Sequence, residues 1–160
     1  MKNIPYDRAA AVAYAERWAL SRNPAYYNFD PLGGDCTNFI SQCIYAGCGV
    51  MNYTPNTGWY YAGLNSLAPA WTGVDALYRF LMQNRGVGPF AKHVAQSRIA
   101  PGDAVQLGTA DGRFYHSLLV LSPSPPIYIA AHTDDSLWRP LNSYHYEAIR
   151  YLHIEGARTY

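Results

Sequence analysis

The chain has 160 residues, 49% hydrophobic and 15% aromatic but only 14% charged, with a net charge of +1. That length fits one domain over residues 1–160 and can bury a core without disulfide staples. The low charge argues against disorder, and the near-neutral balance excludes a broad electrostatic footprint for nucleic acid or an anionic membrane.

Residues 6–21 read as a first helix, with Ala10, Val12, Ala13, Ala15, Trp18 and Ala19 apolar and Pro24 just beyond its end. Residues 23–34 form a loop of turn formers that carries Tyr26, Tyr27 and Phe29. A second helix runs from Cys36 to about residue 47, with its apolar stripe on Cys36, Phe39, Ile40, Cys43, Ile44 and Gly47. Residues 49–71 are a long irregular segment containing Trp59, Tyr60 and Tyr61. Such an aromatic cluster serves either a core or a sugar- or peptide-binding cleft, and Trp59 is the candidate substrate-binding residue. A third helix is predicted over 72–85, capped by Thr72 and ended by Gly86.

Strands follow. One opens after Pro101-Gly102-Asp103 and ends near Leu107, and others span 114–121, 127–132 and 146–154. Helices first and strands afterwards indicate α+β segregation, with N-terminal helices packed on a mostly antiparallel sheet.

The run Gly33-Gly34-Asp35-Cys36 places a cysteine directly after a turn and at a helix start. There the helix dipole favours thiolate, the form that attacks carbonyl carbon. Asp35 is expected to cap the helix through its carboxylate. Its negative charge opposes a thiolate, so a cationic partner such as histidine is required. Against this stands the ordinary use of a free cysteine as a small buried hydrophobe. The other two cysteines, Cys43 and Cys48, follow at spacings of seven and five. Three cysteines without a Cys-x-x-Cys pair read as free thiols in a reducing compartment.

No signal peptide or membrane span is visible, which reads as cytoplasmic for this chain. An extracellular or cell-wall location is expected instead if the domain is cut from a longer exported protein.

Of five histidines, His116 lies inside the strand over 114–121 and His132 ends the strand over 127–132. A hairpin centred on Ser124 sets them directly opposite each other on one face, where one imidazole orients the other. His93, His145 and His153 have no partner pattern and read as surface or packing residues. Cys36, His116 and His132 also admit a reading as zinc ligands, which the helix start and the single hairpin disfavour.

The segment Asp35-Cys36-Thr37-Asn38-Phe39-Ile40-Ser41-Gln42 resembles the Asp-Cys-Ser-Gly-Phe nucleophile motif of NlpC/P60 cysteine peptidases. It is more similar still to the putative amidase domain family of that papain-like clan. Asn23-Pro24-Ala25-Tyr26, Pro101-Gly102-Asp103, His116-Ser117 and His132-Thr133 extend the likeness from about residue 6 to 154. The resemblance implies a papain-like fold and a cysteine amide or peptide hydrolase that needs no metal or cofactor. It implies Cys36 as nucleophile, His116 as general base and His132 as the orienting third residue, with Asp134 the alternative at that third position. It assigns supporting roles to Tyr26 and Asp35, and an oxyanion donor to the Cys36 amide. The implied partner is a small amide or a peptide such as a peptidoglycan stem. An acyltransferase with the same triad, or an inactive module holding a glycan or peptide, fits the same residues. Oligomeric state is not legible.

Overall fold

The computed structural model describes all 160 residues. Its helical half comes first. Helix α1 (Arg8–Trp18) starts where Asp7 accepts from the Ala10 amide at 3.0 Å. Its buried face is all alanine, with Ala11 and Ala15 completely enclosed and Ala19 enclosed just beyond its end. Small side chains let α1 lie close to α2 (Cys36–Cys48), where a Cβ on Gly47 would collide with the Tyr6 ring. Helix α2 is buried on nearly every side, so its stripe is wider than the sequence pattern indicates. Even Thr37, Asn38, Ser41 and Gln42 are enclosed.

The third predicted helix is two. Helix α3 (Pro69–Thr72) and helix α4 (Val74–Gln83) are separated by Gly73, whose extended backbone starts α4 in place of Thr72. The stop is Asn84 and not Gly86, because the Asn84 side chain binds the Val87 and Pro89 carbonyls of the chain leaving the helix.

The strands are β1 (Lys2–Ile4), β2 (Tyr61–Gly63), β3 (Ser66–Leu67), β4 (Gly88–Val94), β5 (Ala104–Gly108), β6 (Phe114–Ser122), β7 (Tyr128–Ala131), β8 (Ser136–Pro140) and β9 (Ala148–Thr159). Strands β2 and β3 form a separate hairpin inside the long irregular segment. The other seven make one sheet ordered β1-β9-β5-β6-β7-β8, with β4 also on β9, and every pairing is antiparallel. The expected α+β class is therefore present.

Side-chain alternation gives the sheet two faces. Leu119 and Leu121 of β6 join the core beneath the helices, together with Phe39, Ile44, Trp59 and Trp71. Leu118 and Val120 point the other way, into a smaller cluster with Val105, Ile129 and Leu141. Each large apolar side chain removed from water contributes about 1.5–3 kcal/mol before entropy is counted. No helix is long and apolar enough to cross a membrane.

Candidate active site

Gly33 and Gly34 sit at φ +106° and +123°, a region open to glycine, and they turn the chain into Cys36. Asp35 then occupies the N-cap position, but its carboxylate makes no capping bond. This corrects the expected cap. The carboxylate is turned inward instead, accepting from the Phe29 amide at 2.8 Å, from Asn38 Nδ2 at 2.8 Å and from His132 Nδ1 at 2.6 Å. Arg22 Nε stands 3.5 Å away. Although Asp35 is fully enclosed, the His132 and Asn38 bonds hold its carboxyl below the usual carboxylate range. The charge that opposes a thiolate at Cys36 is thereby spent on internal partners, and the first amides of α2 are left without a side-chain acceptor.

His132 Nε2 meets the Trp18 carbonyl at 2.8 Å, and a carbonyl can only accept. Nδ1 faces the ionised carboxylate, and ring and carboxylate form a buried hydrogen-bonded pair, with the ring stacked 4.0 Å from Phe39. His132 therefore lies on the helix side of the sheet and bonds Asp35, with no bond to His116.

The expected His116–His132 juxtaposition is off by one residue. Leu119 pairs with Ala130 and Val120 with Ile129, and that register continued by two residues sets Ser117 opposite His132. A one-residue slip reverses the face of every side chain. Accordingly, Ser117 points to α2 and bonds Thr37 Oγ1 at 3.0 Å. His116 points to the other face, 5.8 Å from the Tyr144 ring, and makes no hydrogen bond within the chain. No three His, Cys, Asp or Glu side chains are grouped as a metal site.

Burial, with a smaller push from the Arg139 charge, lowers the His116 pKa from 6.5 to about 4, and the Asp134 charge opposes the shift. His116 is thus neutral at pH 7, as a proton acceptor must be. The sign for stability follows. The folded pKa is depressed, so the contribution is complete above about pH 6.5 and is lost as pH falls towards 4. It amounts to about 3 kcal/mol. Urea unfolding at pH 7 and pH 5 should show the wild type losing stability on acidification and a His116→Leu variant losing less. Equal losses in both would remove His116 as the cause.

Cys36 alone among the three free cysteines is not buried. Its thiol has one polar partner, Thr37 Oγ1 at 3.7 Å, and no bond to either histidine. Burial pushes the Cys43 thiol well up and Cys48 to about 11, so both are inert at neutral pH. Tyr26 packs 5.0 Å from Tyr61 and 6.0 Å from Trp71, and burial raises its phenol to about 12. Its hydroxyl does not bond Cys36.

Trp59 is corrected outright. It is 0% exposed and its indole donates to Ser41 Oγ at 3.0 Å, so it is a core anchor of α2 and not a cleft wall. Trp71 does the same through Asn38 Oδ1 at 2.9 Å. The motif residue Asn23 is structural too: it accepts from the Ala25 amide and donates to Tyr14, whose hydroxyl bonds Gln42.

The molecule is thus an α+β protein in which a half-buried thiol opens a helix and packs against an antiparallel sheet. The family model described as "Putative amidase domain" matches residues 5–154, and the chain belongs to that family. Membership points to an amidase-like hydrolase. The chain is 36% identical over 120 residues to the uncharacterized protein YhbB of Bacillus subtilis (strain 168), covering 73% of this chain and 37% of that protein. It is 27% identical over 141 residues to the uncharacterized protein YjcM of the same organism, covering 82% of this chain and 32% of that one. It thus spans about a third of the length of these curated relatives. No solved structure matches it.

Proposed function

We propose that this chain is a cysteine-dependent amide or peptide hydrolase, a single papain-like unit of the NlpC/P60 clan. The observation that carries the reading is the 3.0 Å bond between Thr37 and Ser117. It ties together the neighbours of Cys36 and His116, the one accessible thiol and the one unbonded imidazole in the sheet. In the proposed reaction His116 turns from the other face of β6 towards the thiol and takes the Cys36 proton, and the thiolate attacks the amide carbonyl. The C–N bond breaks as His116 returns the proton to the leaving amine. Water then gives a proton to His116 and attacks the thioester, releasing a carboxylic acid and restoring Cys36. The uncapped Cys36 amide supplies an oxyanion donor.

In this reading the Asp35–His132 pair holds the nucleophile's turn, and Asp134 is the carboxylate whose charge acts on His116. Tyr26 keeps the supporting role that the family resemblance implies. The proposed substrate class is a small amide or peptide, with cell-wall stem peptides the first to try. A transferase would send the same thioester to an amine instead of water, and product analysis with added amines separates the two.

A second reading, a non-catalytic module holding peptide or glycan, is favoured by the absence of a Cys36–histidine bond. One experiment tests both: iodoacetamide labelling of each cysteine against pH, read by mass spectrometry. A hydrolase gives Cys36 labelling well below an ordinary thiol pKa of about 8.5, lost in His116→Ala. Native Cys43 and Cys48 stay unlabelled. If Cys36 labels as an ordinary thiol, catalysis is rejected and the module remains.

A further inference from the structure

We propose that Gln106, Ser117 and Thr37 form a one-directional hydrogen-bond relay that aims a hydroxyl donor at the Cys36 sulfur, so that Thr37 is a positioning residue for the nucleophile. This rests on the reading of Cys36 as the nucleophile.

The direction follows from counting protons. Gln106 is fully enclosed in the middle of β5, where a polar side chain is costly unless every atom is bonded. Its Oε1 accepts from Arg150 Nε at 2.8 Å, and Arg150 is in turn held by Asp75 at 3.0 Å. Its Nε2 donates to the Val74 carbonyl at 3.0 Å and to Ser117 Oγ at 3.2 Å. The opposite amide orientation would set oxygen against the Val74 carbonyl, so the assignment is unique.

Ser117 Oγ therefore receives an N–H, and its single proton has one other polar partner, Thr37 Oγ1 at 3.0 Å. Thr37 Oγ1 receives that proton. Its own is left for its remaining partner, Cys36 Sγ at 3.7 Å. Ser117 and Thr37 are 0% and 1% exposed, so water does not compete for these hydroxyls. A donor aimed at sulfur stabilises negative charge there more than it stabilises a neutral thiol. The relay thus does at the Cys36 side chain part of what the unbonded histidine does not do in this structure.

The test is the pH midpoint of Cys36 alkylation by iodoacetamide in the full chain. Thr37→Val keeps the shape and removes the donor, and Thr37→Ser restores the donor. Near-UV circular dichroism checks the fold of each. The expected result is a midpoint about one pH unit higher in Thr37→Val, an approximately tenfold slower reaction at pH 6.5, with Thr37→Ser close to wild type. Ser117→Ala should move the midpoint the same way and serves if Thr37→Val does not fold.

An unchanged midpoint in a folded Thr37→Val or Ser117→Ala protein overturns the relay. The two proposals fail differently. A low wild-type midpoint that survives Thr37→Val but not His116→Ala rejects the relay and keeps the Cys–His reading. A midpoint that rises in Thr37→Val but not in His116→Ala keeps the relay and rejects that base. An ordinary midpoint in the wild type rejects both.

Discussion

Cys36→Ala is expected to lower amide hydrolysis by about 10⁴-fold or more while leaving the melting temperature within a degree or two of wild type. The two halves of that result have separate physical causes. Activity goes because no other nucleophile can replace the thiol: Cys43 and Cys48 are enclosed in the core, with their thiols pushed up by burial. Stability stays because Cys36 is only half-buried and its one polar contact is the long Thr37 bond, whose hydroxyl retains Ser117. Alanine also suits the first turn of a helix. Turnover of a panel of N-acyl amides and short peptides by wild type and variant, with thermal melts on the same samples, checks both halves. Residual hydrolysis at the wild-type rate would mean that the reaction does not pass through this thiol.

The sequence made α2 and its cysteine legible because three local signals coincide there: a Gly-Gly turn, an Asp, and a helical stripe. Strands β5, β6 and β7 were legible for a similar reason, since each is a run of apolar residues bounded by turn formers. Much of what escaped is non-local. Strands β4 and β8 have mixed composition, and their partners lie far along the chain or depend on bulges. The β6–β7 register is set by a shift between Val120 and Ser122 that no spacing rule announces. The turn is centred one residue beyond Ser124 and the shift recovers only half of the difference, which leaves Ser117 and not His116 opposite His132. Likewise, Asp35 has the composition of a cap, and only the fold shows that its better partner is His132, 97 positions away. One signal was available and unused. Gln106 is a lone amide inside an otherwise apolar strand, Ala104-Val105-Gln106-Leu107, and such a residue must be bonded by something.

That displaced carboxylate carries the second large effect. Asp35→Asn should cost about 3–5 kcal/mol of unfolding free energy at pH 7, because it removes the carboxylate from its buried pair with the enclosed His132 ring. Asparagine keeps the volume, so the loss reads charge and hydrogen bonding and not a cavity. The effect is also pH-dependent with a determined sign. The folded carboxyl lies below its ordinary value, so its contribution is present above about pH 4 and disappears as pH falls through the folded value. The wild type should therefore lose stability steeply below pH 4, and Asp35→Asn should lose less over that range. His132→Gln in the Asp35→Asn background removes the stranded ring, so the double variant should be more stable than the sum of the single losses implies. Denaturant unfolding of the four proteins at pH 7 and pH 3.5 measures all of this. A single-variant cost below about 1 kcal/mol would mean that Arg22, 3.5 Å from the same carboxylate and bonded to Asp30 and Asp135, already stabilises the turn. If the pair holds the turn, the same variant also loses low-pH labelling at Cys36, because one amide oxygen cannot hold the Phe29 amide, Asn38 and His132 together. The residue preceding the proposed nucleophile then acts on chemistry through position, by fixing where α2 begins.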